Sequence, residues 1–401
     1  MNELEIILRI FFFAFGSAIG SFLNVCIVRL PQGKSVVMPG SHCMKCDKLV
    51  RWFDNIPILS YFLLRGKCRD CGTVFSFRYA GIEFLTGIIF LGLYLFFGLS
   101  WTLIPWFFLV GSLIIATFVD LELRIIPDEL SLWGIPVGLV MSFFLPQIQS
   151  MAGSPLLGIG LALCAIFSVL ALLLMLLDAW GRRSFLAKED VWLIGSVFVA
   201  VLFQFLLTIF VVPDARAVRI LGLVASCQGV IVGGGALYLL GLVGAILIKK
   251  RVVTLIDLKS VTDRYEDLFK ELMNKGYLDD EGEIQPKFSL VKLEEGFVLD
   301  SSWDKEREKV YALILDCQEG GVMGGGDVKL MALVGAFLGW KLALLTIVLA
   351  PFLGIPFAIV EKIRTKSSAI AFGPYLAVAA VVSLLFGEKL IAWILSGYGM
   401  Y

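Results

Sequence analysis

Met323-Gly324-Gly325-Gly326-Asp327-Val328-Lys329-Leu330 is the stretch on which the fold turns: three glycines and an ionisable aspartate open a run that stays apolar from Leu330 to Leu338. A carboxylate at the head of an apolar segment is costly, and inside a membrane protein such a group is a functional-site hypothesis by default. Consecutive glycines let backbone approach closely and bend freely, which sets Asp327 at a mouth between membrane and water rather than mid-span. The comparable acid at the end of an apolar run is Asp120, in Thr117-Phe118-Val119-Asp120-Leu121-Glu122-Leu123-Arg124-Ile125-Ile126-Pro127-Asp128. Two such carboxylates predict an aspartyl dyad.

The chain around them has 401 residues, of which 59% are apolar and 17% charged, with 40 glycines, 32 phenylalanines and a mean hydropathy of +0.89. A soluble globule of this length is far less apolar, so the bilayer is a partner. The formal net charge is zero, and no nucleic-acid partner is expected. The first apolar run, Leu4 to Leu30, is too long for a signal-peptide core and lacks a basic leader and a small-residue cleavage site; it reads as a retained helix. Further runs of roughly 20 residues, the length a ~30 Å hydrocarbon core demands, lie near 80–98, 101–121, 128–147, 155–178, 190–212, 220–248, 325–339, 341–360 and 369–386. The fold class is therefore an all-α polytopic membrane protein with about 8–10 transmembrane helices.

Orientation follows from Lys and Arg in the short connections. Lys34, Lys45, Lys48, Arg51, Arg65, Lys67, Arg69 and Arg78 follow the first run, which predicts a cytoplasmic segment there and an external N-terminus. Counting spans onward puts Arg124, Arg182, Arg183, Lys249, Lys250, Arg251 and Lys362 to Lys366 on the same side. Asp120 and Asp327 then both fall at cytoplasmic helix ends.

That first segment holds Cys43-Met44-Lys45-Cys46 and Cys68-Arg69-Asp70-Cys71. Two C-x-x-C pairs at this spacing can surround one tetrahedral Zn²⁺ with four thiolates, leaving no open position and so predicting a structural site. Disulfides are the alternative, and a reducing cytoplasm disfavours them. Cys26, Cys164, Cys227 and Cys317 are scattered and read as small core residues or free thiols. His42, the one histidine, reads as a solvated neighbour of the first cysteine pair. Its isolation there argues against Ser-His or Cys-His hydrolysis.

Gly324-Gly325-Gly326-Asp327 with Val328-Lys329-Leu330, the Asp120 to Asp128 stretch, and Gly20-Ser21-Phe22-Leu23-Asn24-Val25 with Arg29-Leu30-Pro31 ahead of the four cysteines together resemble the type IV prepilin peptidases, bacterial GxGD intramembrane aspartic proteases. The resemblance covers the first 150 residues and about the last 170. It implies a bacterial inner-membrane enzyme that cleaves the basic leader of type IV prepilins or secretion pseudopilins. Asp120 and Asp327 become catalytic, and Gly324, Gly326, Lys329 and Asp128 supporting. In relatives with the cysteine domain the enzyme also N-methylates the new N-terminus from S-adenosylmethionine. That activity rests on the resemblance alone, since the chain has no nucleotide-binding glycine fingerprint. Met44 departs from the family, which often has proline there.

The dyad chemistry has a simple physical form: two carboxylates a few ångströms apart in a low-dielectric site share one proton, so one acts as general base on a water and the other polarises the scissile carbonyl. Asp128, just after Pro127, is expected to cap or begin the next helix. Lys329 either steadies the dyad or snorkels to the interface. The middle of the chain departs from the family through an apolar insertion near 150–220 and a polar one from Val252 to Gly320, where helices are expected over Val261–Met273 and Trp303–Leu315. Asp190 is expected to be an acid at a helix start. The domains follow: 1–30 first helix, 31–79 zinc domain, 80–250 helices with the first aspartate, 251–320 polar insertion, 321–401 C-terminal helices. The alternatives are a peptidase without methyl transfer and a transporter with buried acids, which would place its acids near the midplane in matched repeats.

Overall fold

The computed structural model describes residues 3–43, 45–149, 160, 162–166, 215–247, 290–292, 298–300, 324–365 and 371–397. These divide into two units, Met1–Leu239 with Met323–Tyr401, and Leu240–Val322. The first unit is helical: α1 Glu3–Arg29, a short α2 Leu59–Leu63, α3 Arg78–Phe97, α4 Leu103–Leu123, α5 Asp128–Phe144, most of α6 Ala215–Leu247, which leaves this unit after Leu239, α7 Gly325–Thr365 and α8 Gly373–Gly397. Six helical segments among the described residues are long and apolar enough to cross a membrane. The expected boundaries near 80–98, 101–121, 128–147 and 220–248 differ from the observed ones by a few residues. The expected pair 325–339 and 341–360 is one element broken at Gly339, whose φ of 74° no continuous helix holds. The segments near 155–178 and 190–212, Asp190, Cys317 and the helices expected at 261–273 and 303–315 lie wholly or mostly outside the described residues.

Small residues decide how the helices meet. Gly16 and Gly20 of α1 lie against Thr86, Gly87 and Glu83 of α3 so closely that an added methyl group would collide with backbone. Gly134 and Gly138 of α5 make room for Leu333, Ala336 and Phe337 of α7. Gly229 of α6 and Gly335 of α7 touch backbone to backbone, with Gly233 one turn on against Met331. Each of the three pairs 16/20, 134/138 and 229/233 has small residues four apart, the spacing that lets membrane helices approach without a hydrophobic driving force. The core fills behind them with Ile82, Leu109, Leu330, Leu333, Phe337 and Leu376.

The break at Gly339 exposes a polar cost that the fold answers. In a continuous helix the carbonyls of Ala336 and Phe337 would meet the N–H groups four residues on, and hydrocarbon supplies no substitute. Gln149 donates its Nε2–H to both, at 3.0 and 3.2 Å, and the hydroxyls of Ser142 and Ser226 also donate to Ala336. In the second unit the described residues are the end of α6, 240–247, and two antiparallel strands, β1 Leu290–Lys292 and β2 Val298–Asp300. Strands were not among the expectations for the polar insertion, although Glu294-Glu295-Gly296 between apolar runs is a turn signal.

Candidate active site

Two cysteine turns with one backbone pattern form the segment between α1 and α3. In the first, the Asp47 N–H donates to Cys43 O at 2.8 Å and the Cys43 N–H to Lys48 O at 3.0 Å; in the second, Gly72 N–H donates to Cys68 O at 2.9 Å and Cys68 N–H to Thr73 O at 2.8 Å. Asp47 and Gly72, at matching positions, take left-handed φ of 54° and 70°, a conformation Asp tolerates and Gly adopts freely. The turns bring Cys43, Cys46, Cys68 and Cys71 together with their sulfurs within 4.8 Å of one another, a cluster able to hold a metal ion. The Thr73 hydroxyl, 3.2 Å from Cys71 Sγ, and its backbone N–H draw the Cys71 thiol down to about 6, whereas Cys46, beside the Cys43 and Cys71 thiols, is pushed up to about 11. Arg69 forks onto Asp54 at 2.6 and 2.8 Å and holds that carboxyl below its ordinary range, pinning the second turn to the Trp52–Asn55 turn. His42 turns its Nδ1 to Gly40 O at 3.0 Å and is not among the cluster ligands.

Asp120 and Asp327 approach each other from α4 and α7. Asp120 is 6% exposed, one turn before the end of α4. That helix stops because Arg124 adopts a left-handed φ of 56° and returns its N–H to Asp120 O at 2.9 Å, after which Ile126 precedes Pro127 and is steered away from helix. Asp327 is half-buried in the first turn of α7, its N–H bonded to Gly324 O at 3.1 Å. Gly326 lies against Ile126, and the charge of Asp120 acts on Asp327. A third element completes the group: Gly373, the first residue of α8, donates its N–H to Asp120 Oδ2 at 2.9 Å. The first N–H groups of a helix have no partner within it, and this end carries partial positive charge.

The remaining motif residues form a surrounding frame. Asp128 begins α5 and accepts Lys329 Nζ at 2.6 Å, so Lys329 ties α7 to α5 and not to either dyad carboxylate. Glu122 pairs with Arg78 at the start of α3, which puts the cysteine segment and the dyad at the same end of the helices. Asn24 donates from Nδ2 to Tyr79 O at 3.0 Å, and Glu83 accepts the Ile58 N–H at 2.6 Å. Sequence reasoning missed Gly373: Ala371-Phe372-Gly373-Pro374 signals a helix start through its proline, but nothing local says what that start faces.

Fold and site define a polytopic helical membrane protein with a paired-carboxylate centre and a four-cysteine segment at one end of its helices. The chain belongs to the type IV leader peptidase family. Residues 14–97 match the bacterial peptidase A24 N-terminal domain and residues 309–359 the type IV leader peptidase family. It is 40% identical over 134 residues to a prepilin leader peptidase/N-methyltransferase of Myxococcus xanthus (strain DK1622), spanning 33% of this chain and 40% of that one. To the enzymes of the same name from Neisseria gonorrhoeae and Klebsiella pneumoniae it is 36% identical over 184 residues and 32% over 153, spanning 39% and 36% of this chain and 64% and 67% of theirs. The matched part thus spans from two fifths to two thirds of these relatives' length. No solved structure matches it.

Proposed function

We propose that the protein is a membrane-embedded aspartic endopeptidase that removes the basic leader of type IV prepilins or pseudopilins at the cytoplasmic membrane face. The observation that carries this is the convergence of Asp120, Asp327 and the Gly373 N–H from three different helices. With Asp120 Oδ2 held by Gly373, its other oxygen would take the water, with half-buried Asp327 as the second acid. One acid, ionised, takes the water's proton as hydroxide adds to the scissile carbonyl; the other, protonated, donates to the carbonyl oxygen. Collapse of the tetrahedral intermediate delivers the first proton to the leaving amine. Acids at one membrane end fit this chemistry better than a transporter's midplane site. The cytoplasmic assignment is supported by the Lys and Arg excess from Lys34 to Arg78.

The four thiols suit zinc. A tetrahedral Zn²⁺ with ~2.3 Å bonds has sulfur–sulfur edges of roughly 3.8 Å, and Cys43 Sγ to Cys71 Sγ is 3.6 Å. Cys43, Cys46, Cys68 and Cys71 would hold the ion, which would crosslink the two turns. N-methylation of the new N-terminus from S-adenosylmethionine is supported by the relatives' names, and no residue is assigned to the donor. The direct test is incubation of the reconstituted protein with a prepilin carrying a basic leader, Gly, Phe or Met, and an apolar stretch. One cut ahead of the Phe or Met is expected in the product masses; an uncut precursor overturns the proposal.

A further inference from the structure

The segment between α1 and α3 carries an apolar surface that no part of the site uses. Leu59, Phe62 and Leu63 lie on one face of α2 and are 60%, 61% and 76% exposed; Trp52 is 81% and Phe77 61% exposed. They form one neighbourhood: Tyr61 packs edge-on to Phe62 and Phe77 with ring centroids 5.8 and 5.7 Å apart, and the Ser60 hydroxyl donates to Phe53 O at 3.3 Å, joining α2 to the Trp52–Asn55 turn. Outside a membrane a cluster of this kind is rarely left uncovered.

Its height along the helices says what covers it. Ile58, the residue before α2, donates its N–H at 2.6 Å to Glu83, which also holds Ser21 of α1. Glu83 lies five residues into α3, about 7.5 Å along the helix from Arg78 at ~1.5 Å per residue. The Glu83 side chain leans back toward Arg78, so α2 begins beside the first turns of α3, at the end of the spanning helices, where an apolar face can enter the headgroup and acyl boundary. The surrounding charge fits. Arg51, Arg65 and Lys67 are exposed around the patch, while the nearby Asp54 is spent on Arg69. Trp, Phe and Leu with a basic rim is the composition of an interfacial anchor on an anionic lipid surface.

We infer that Trp52, Leu59, Phe62, Leu63 and Phe77 form a lipid-docking surface that seats the four-cysteine segment in the bilayer interface. The claim is independent of the peptidase reading. It is tested by placing the photocrosslinking residue p-benzoylphenylalanine at Phe62 or at Leu63 of the full chain, in nanodiscs of phosphatidylethanolamine and phosphatidylglycerol. Mass spectrometry should find phospholipid adducts at both positions, at yields comparable to Phe352 on the outer face of α7. Met331, fully buried in the core, should give none. Adduct yield at Leu63 should fall with Arg65→Gln/Lys67→Gln. Both positions are exposed, so substitution leaves folding intact, and labelling at Phe352 reports that directly. Labelling at Phe352 without lipid adducts at Phe62 and Leu63, or adducts there only to an added prepilin, would overturn the inference.

Discussion

Gly373 is glycine because the carboxylate of Asp120 occupies the space a side chain would take: a Cβ there would lie 2.7 Å from Asp120 Oδ2. Gly373→Ala is therefore expected to displace the carboxylate and lower cleavage about 100-fold, the scale of loss when a reacting group moves by an ångström, with the protein still folded. Gly326→Ala should cost much less, because the atom it meets, Ile126 Cβ at 3.1 Å, needs to give by only a few tenths of an ångström. Asp128→Asn breaks an exposed pair with Lys329 and should cost stability no more than about 1 kcal/mol, with cleavage largely retained; thermal unfolding and a prepilin assay on the same preparation measure both. Asp120 and Asp327 were legible in the sequence because ionisable residues at the ends of apolar runs demand a reason. Gly373 was not, since its contribution is a backbone N–H whose partner is 253 positions away.

Helices were the most legible elements, because the runs of apolar residues that cross hydrocarbon announce their own lengths. What the apolar pattern does not carry is how those helices meet. The pairs Gly16/Gly20, Gly134/Gly138 and Gly229/Gly233 stand in the sequence as small residues four apart, yet only their contacts, with Thr86 and Gly87, with Leu333 and Ala336, and with Gly335 and Met331, show which helix each one faces. The break in α7 was visible as two segments parted near 340, but the use of Gln149, Ser142 and Ser226 to serve its carbonyls depends on tertiary structure. Gln149→Leu removes the donor shared by Ala336 and Phe337 and is expected to destabilise the fold by roughly 1 kcal/mol, read as a lowered unfolding temperature in detergent. At the cysteine turns, elemental analysis should find about one zinc per chain, and Cys→Ser at Cys43, Cys46, Cys68 or Cys71 should release it. Wild-type protein without metal would contradict that reading.

In the whole molecule the four-cysteine segment and the dyad share one end of the helices and are joined through the Arg78–Glu122 pair and the Glu83–Ile58 bond. Separate chemistry at the two places predicts that loss of metal lowers methyl transfer first and cleavage only as far as the segment helps hold the leader. A pre-cleaved pilin separates the two: wild-type protein with S-adenosylmethionine should add one methyl group, and Asp120→Asn should still add it. The central claim is that cleavage needs both carboxylates at once. Its most direct measurement is prepilin cleavage by purified Asp120→Asn and Asp327→Asn variants, each shown by its unfolding temperature to be folded. The expected result is no detectable product from either variant against a single product from wild type; cleavage persisting in either one would contradict the dyad.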